Sequence, residues 1–137
     1  NLGGYEFKGY LACINSVNNY YNASMDLLKD EVYTELFSSG NKIYTRVKDE
    51  PPTQYSGNAK VENSMIANGC HIEGTVKNSL IFRKVTVSQG VELNNCVIMQ
   101  NTIIKKNAKL INVIVDKGRM ILENEDCSGS DSLPLVI

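Results

Sequence analysis

Between Val61 and Ile121 the sequence repeats itself. Aligned from Val61, Val76, Leu93 and Leu110, four stretches read VENSMIANGCHIEGT, VKNSLIFRKVTVSQGVE, LNNCVIMQNTIIKKNAK and LINVIVDKGRMI. Asn63, Asn78, Asn95 and Asn112 form one column, stepping by 15, 17 and 17 residues. Ser64, Ser79, Cys96 and Val113 form the next, followed by Ile66, Ile81, Ile98 and Val115. Further columns hold Cys70, Val85 and Thr102, then Ile72, Val87, Ile104 and Ile121, with Ala59, Gly74, Val91 and Ala108 just ahead of each new unit.

One such unit is too short to bury its own apolar residues, so stacking of equivalent columns has to supply the core. Small or β-branched residues recur about every second position and then skip, the pattern of very short strands separated by bends. A helix needs apolar positions at i, i+3, i+4 and i+7, and this density of β-branched residues disfavours it. Asparagine at a bend tolerates left-handed backbone and bonds to neighbouring peptide groups. The reading is a mainly β chain, a parallel β-solenoid of about four coils, rather than a flat β-sandwich. Its hexad-like spacing resembles the left-handed parallel β-helix of hexapeptide-repeat proteins. The handedness belongs to the resemblance, because the usual crossover rule points the other way.

The 137 residues carry a net charge of −1 and are 42% hydrophobic, which suits one ordinary domain and excludes wholesale disorder. The near-neutral balance argues against general nucleic-acid binding, and no apolar run is long enough to span a membrane. The start, Asn1-Leu2-Gly3-Gly4, has no signal-peptide character and no initiating Met, so a piece of a longer chain is expected. Lys and Arg number 5 against 7 Asp and Glu in residues 1–57, 9 against 4 in 58–122, and none against 4 in 123–137. Cys13, Cys70, Cys96 and Cys127 lie far apart with no C-x-x-C pair, the usage of inert thiols in a reducing, cytoplasmic setting.

Ahead of the repeat, Val17, Tyr20, Tyr21, Met25 and Leu28 share one helical face, with Asn15 or Ser16 as N-cap. This predicts a helix over 15–29. Val32, Leu36 and Phe37 suit a second helical segment stopped by Ser38-Ser39-Gly40. Lys42 to Val47 reads as extended, and Pro51-Pro52 breaks the chain. The expected layout is a helical portion over 1–50, a linker over 51–57, the β-helix over 58–122 and an acidic, apolar cap over 123–137.

The segment GYLACINSVNNYYNASMDLL, Gly9 to Leu28, resembles the end of the nucleotidyltransferase domain in ADP-glucose pyrophosphorylases, the glucose-1-phosphate adenylyltransferases. Their pattern, roughly G-Y-W-R-D-V-G-T-I-x-S-Y-x-x-A-N-M-D-L-L, aligns without a gap. Gly9, Tyr10, Tyr20, Ala23, Met25, Asp26, Leu27 and Leu28 match it, and Ile43-Tyr44-Thr45, the Pro pair and the β-helix follow in the family's order. The resemblance covers nearly the whole chain and is nearest the GlgD-type branch of bacterial glycogen synthesis. It implies the carboxyl-terminal region of a protein whose nucleotide-binding loop and most of whose sugar-phosphate pocket lie upstream. The family makes ADP-glucose and pyrophosphate from ATP and glucose 1-phosphate with Mg²⁺. Its β-helix carries subunit contacts and effector signals within a tetramer.

One departure stands out. The family's D-V-G becomes Cys13-Ile14-Asn15, so Cys13 occupies the place of the metal-binding Asp. A thiol is a poor ligand for Mg²⁺. The resemblance therefore implies a non-catalytic, regulatory subunit, itself inactive and without bound cofactor, partnered with a catalytic adenylyltransferase subunit or itself in a heterotetramer. Arg83 and Lys84 lie one coil before Lys105, Lys106 and Lys109, and these five are the candidate effector-binding residues, against the plainer reading of a solvated basic face. The rival chemistry on a hexapeptide β-helix is acyl transfer, which needs an activating His. His71 is the sole histidine, and beside the inward Cys70 and Ile72 it is expected to face solvent. A purely structural β-helix is the remaining alternative.

Overall fold

A computed structural model describes all residues 1–137. Two helices come first, α1 (Val17–Asp26) and α2 (Asp30–Phe37), followed by strands of two or three residues wound into coils. The first coil holds β1 (Gln54–Tyr55), β2 (Lys60–Glu62) and β3 (Met65–Ile66); the second β4 (His71–Ile72), β5 (Thr75–Lys77) and β6 (Leu80–Ile81). The third holds β7 (Thr86–Val87), β8 (Glu92–Asn94) and β9 (Val97–Ile98); the fourth β10 (Ile103–Ile104), β11 (Lys109–Ile111) and β12 (Val113–Val115). Last come β13 (Met120–Ile121), β14 (Asp126–Ser128) and β15 (Leu135–Val136). Every pairing is parallel, giving three five-stranded sheets in the orders β1-β4-β7-β10-β13, β2-β5-β8-β11-β14 and β3-β6-β9-β12-β15. This is the parallel solenoid that the repeat predicts, of the hexapeptide-repeat kind.

The aligned columns are the register. Ile72, Val87, Ile104 and Ile121 stack in the first sheet, Val61, Val76, Leu93 and Leu110 in the second, and Ile66, Ile81, Ile98 and Val115 in the third. Apart from Val61, which is exposed on the first coil, their side chains form one continuous interior with Cys70, Val85, Val91, Cys96 and Ala108. Each fully buried aliphatic contributes roughly 1.5–3 kcal/mol, which no single coil collects alone.

Corners turn on left-handed residues. The asparagine column Asn63, Asn78, Asn95 and Asn112 has φ of 42°, 47°, 54° and 55°. Gly69, Lys84, Asn101 and Gly118 turn the corner between the third and first sheets, and Gly90, Asn107 and Asn124 the one between the first and second. The short 15-residue step arises at that last corner: Ile72 reaches Val76 in four residues, whereas Val87 reaches Leu93 in six.

Three boundaries differ from the sequence reading. The solenoid extends beyond 58–122, because β1 lies in the segment read as linker and β14 and β15 lie in the segment read as cap. Those outer rungs keep the backbone pairing but have lost most of the column residues that mark the repeat. The helix expected over 15–29 ends at Asp26: Leu27, Leu28 and Lys29 donate to carbonyls three residues back, and Lys29 is extended at φ −85°, ψ 125°. That tightened turn directs Leu28 toward the third sheet before α2 begins. Ser16, one of the two expected caps, accepts from the Asn19 amide at 3.1 Å.

Candidate functional site

The third sheet has two apolar faces. Behind Ile66, Ile81, Ile98 and Val115, which point inward, Met65, Leu80, Val97 and Ile114 stack in register on the outside. Helix α1 covers this outer column, and Tyr21, Leu80, Val97 and Ile114 form a second buried cluster flanked by Tyr20, Met25 and Leu28. Tyr21 is 6% exposed, and its hydroxyl donates to the Asn95 carbonyl at 2.7 Å. Burial, reinforced by the charges available to Cys96 and Asp131, pushes the Tyr21 hydroxyl up to about 12. The motif pair Tyr10 and Asp26 meets here too. The Tyr10 hydroxyl donates to Asp26 at 3.0 Å, and the Lys29 ammonium sits 2.7 Å from the same carboxylate. The Lys29 hydrogen bond holds the Asp26 carboxyl below its usual range, against a smaller opposing effect of burial.

Beside α1 an apolar groove of about 480 Å³ runs between the 10–14 segment, Leu27, Leu36 and the first two coils at Met65, Leu80 and Phe82. Helix α2 buries none of its residues, and Tyr33 and Phe37 meet on its exposed side with tilted rings whose centroids are 5.2 Å apart. Leu2, Tyr5, Leu11, Tyr44 and Val47 also stand in solvent, each more than 80% exposed. Cys13 lies on this exposed stretch. No three His, Cys, Asp or Glu side chains converge anywhere in the chain, and a lone thiol does not fit a hard divalent ion that takes oxygen ligands.

The five candidate cations do not form one patch. The Asn101 amide donates to the Arg83 carbonyl, and Gly118 to Gln100, so Arg83 and Lys84 stack on Gln100 and Asn101 at the corner between the third and first sheets. Asn107 donates to Gln89 and Asn124 to Lys106, so Lys105 and Lys106 occupy a different corner, between the first and second sheets. Lys109 is on the second sheet, 3.9 Å from Glu92. A coil with three corners separates residues that are near in sequence, and that geometry divides the set.

What remains together is a polar concavity of about 400 Å³ lined by Lys48, Glu50, Phe82, Arg83, Lys84, Gln100 and Asn101. Lys84 pairs with Glu50 at 3.1 Å, leaving Lys48 and Arg83 in charge excess. Lys48, Gln100 and Asn101 were not among the sequence candidates. The two Gln/Asn positions were legible as the next rung above Arg83 and Lys84, whereas Lys48 had no register to locate it. His71 lies on β4 between Gln54 and Thr86, facing solvent as the repeat predicts. The buried thiols are inert: desolvation raises Cys70 and pushes Cys96 up to about 11, with both sulfurs directed at backbone carbonyls. No helix is long and apolar enough to cross a membrane.

Comparison with known proteins matches residues 51–132 to the family described as GlmU-like, C-terminal hexapeptide. The chain is 44% identical to glycogen biosynthesis protein GlgD of Bacillus subtilis (strain 168), over 97% of its own length and 39% of that protein's. It is 54% identical to GlgD of Geobacillus stearothermophilus over 50% of its length, covering 20% of that protein. With glucose-1-phosphate adenylyltransferase of Bacillus cytotoxicus it shares 38% identity over 90% of its length and 33% of that protein's. The chain thus spans less than two fifths of the curated relatives it matches.

Proposed function

Because the chain belongs to the GlmU-like C-terminal hexapeptide family, we propose that it is the oligomerisation and regulatory module of a GlgD-type subunit in glycogen biosynthesis. The observation that carries this reading is a match to GlgD running through the helices as well as the solenoid, over 97% of the chain. A hexapeptide β-helix alone would fit many unrelated functions. The exposed apolar side chains of the 2–17 and 43–47 segments, the uncovered α2 and the groove beside α1 are the face against which the rest of such a subunit packs.

On this reading the assembly is cytoplasmic, and its catalytic adenylyltransferase subunits convert ATP and glucose 1-phosphate to ADP-glucose. Cys13 contributes no metal ligand, so this subunit modulates rather than catalyses. An anionic effector binds at the Lys48, Arg83 and Lys84 corner, where cations outnumber the single carboxylate of Glu50. Lys105, Lys106 and Lys109 stand apart and tune the surface charge.

The test is assembly. The chain, carried in its full-length subunit, is mixed with a catalytic glucose-1-phosphate adenylyltransferase subunit and followed by light scattering and by ADP-glucose formation. A stable mixed oligomer with altered turnover or effector response is expected, and the chain alone should form no ADP-glucose. Failure to associate overturns the proposal. A trimer that binds an acyl-thioester cofactor would replace it with acyl transfer.

A further inference from the structure

Asn112 touches three parts of the molecule at once. Its amide donates to Asn94 on the preceding coil at 3.0 Å, and its carbonyl accepts from Leu135 at the start of β15, also at 3.0 Å. Its side-chain amide donates to the Asp131 carboxylate at 3.0 Å and to the Gly129 carbonyl at 3.4 Å, both in the turn that leads into β15. Its side-chain oxygen faces the Tyr21 hydroxyl at 3.5 Å, while that hydroxyl is anchored on Asn95 one coil earlier. Asn112 and Tyr21 are each only 6% exposed, so water competes poorly for these bonds.

The other members of the asparagine column have no such role: Asn63 donates to Asn78 at 2.8 Å, a plain ladder contact. Only at Asn112 does the column meet both the helix on the outer face and the end of the chain. Gly129 seals the contact from the other side, because a Cβ there would collide with the Asn112 carbonyl and the Leu135 amide.

We propose that Asn112 is a latch that couples the C-terminal turn, residues 129–135, to the seating of helix α1 on the third sheet. When the turn holds the Asn112 amide, the side-chain oxygen is fixed toward Tyr21 and α1 is seated. When the turn opens, the amide is free to rotate, and the Tyr21 hydroxyl keeps its bond to Asn95 but loses the second acceptor beside it, which loosens the seating of α1. The turn ends in the exposed Leu133 and Leu135, so an event at that end of the solenoid reaches α1 through one side chain.

The experiment is amide hydrogen exchange, read by mass spectrometry on peptides covering 17–28 and 129–137 of the chain. Asp131→Ala, at an exposed position, should speed exchange in both regions, by roughly five- to tenfold in α1. Ser130→Ala removes that hydroxyl's bonds to Leu133 but keeps the Gly129 and Asp131 contacts with Asn112, so it should speed exchange in 129–137 and move α1 less than Asp131→Ala does. Tyr21→Phe should speed exchange in the turn as well as in α1, and combining it with Asp131→Ala should give less than the product of the two effects. The latch is overturned if Asp131→Ala affects α1 no more than Ser130→Ala does, or if Tyr21→Phe leaves 129–137 unchanged.

Discussion

A Cβ on Gly74 would stand 2.6 Å from the carbonyl oxygen of Val91, one coil along. Gly74 occupies the corner that is two residues shorter than its equivalents, and the shortcut brings the backbone inward onto the rung below. The opposing atom is backbone, so it yields only if the coil shifts. Gly74→Ala is therefore expected to lower unfolding stability by about 2–3 kcal/mol. Gly118 is the control: φ is +70° but nothing lies within 4 Å of its Cβ position. Gly118→Ala should cost only the left-handed penalty, about 1 kcal/mol. Urea denaturation of the two variants separates crowding from backbone strain, and equal losses would refute the crowding at Gly74.

The asparagine column makes a second separation. Asn95 sits at φ 54°, and no hydrogen bond of its own side chain supports it. What the position needs is tolerance of that backbone, with its carbonyl left free to accept from Tyr21. Asn95→Gly should stay within about 0.5 kcal/mol of the parent, whereas Asn95→Ala should lose about 1 kcal/mol. Thermal or urea unfolding checks the order; alanine matching glycine would mean that the left-handed turn is not what selects asparagine.

Why some of this was legible follows from the period. Residues that share a column in the sequence share a rung in the structure, so the interior, the asparagine corners and the outward His71 could all be read from spacing alone. The outer column, Met65, Leu80, Val97 and Ile114, is not legible from the period, because each stands next to an inward residue and the pairs read as short apolar runs with no direction. Knowing that a helix lies on the third sheet supplies that direction. The outer rungs were lost where Tyr55 and Cys127 replace the aliphatic pattern, although pairing persists. For the basic residues, period fixed which rung each belongs to. It did not show that three corners divide Arg83 and Lys84 from Lys105 and Lys106, nor that Lys48 folds back beside them.

Tyr21 predicts an alkaline weakness. Its hydroxyl titrates near 10 when exposed and near 12 in the fold, so between those values the unfolded chain has released a proton that the folded chain keeps. Stability from this group is complete below pH 10 and falls as pH rises toward 12, by at most about 2.7 kcal/mol. Cys96 and Cys70 are raised in the same direction by burial but from an ordinary value near 9, so their loss begins about one pH unit earlier and is common to parent and variant. Tyr21→Phe should begin lower at pH 8, by about 1 kcal/mol, because the Asn95 carbonyl loses its donor. It should then lose less between pH 10 and 12. Urea midpoints at pH 8, 10 and 11.5 test this; parallel curves for the two proteins would remove Tyr21 from the account.

Val97 and Ile98 are adjacent on β9, both fully buried, yet they face different partners. Val97 lies under α1 with Tyr21, Leu80 and Ile114, while Ile98 lies in the solenoid interior. A buried carboxylate is intolerable at either position, but the chain has different ways out. With Val97→Asp the charge reaches water if α1 lifts off, because the helix is held from one side. With Ile98→Asp the solenoid must open. Val97→Asp is therefore expected to lose helical circular dichroism and to admit protease within residues 17–37, while the strands still unfold in one cooperative step. Ile98→Asp should give no folded chain. Should Val97→Asp unfold the whole molecule as Ile98→Asp does, α1 and the solenoid would be one cooperative unit and the helix could not be a separately seated element.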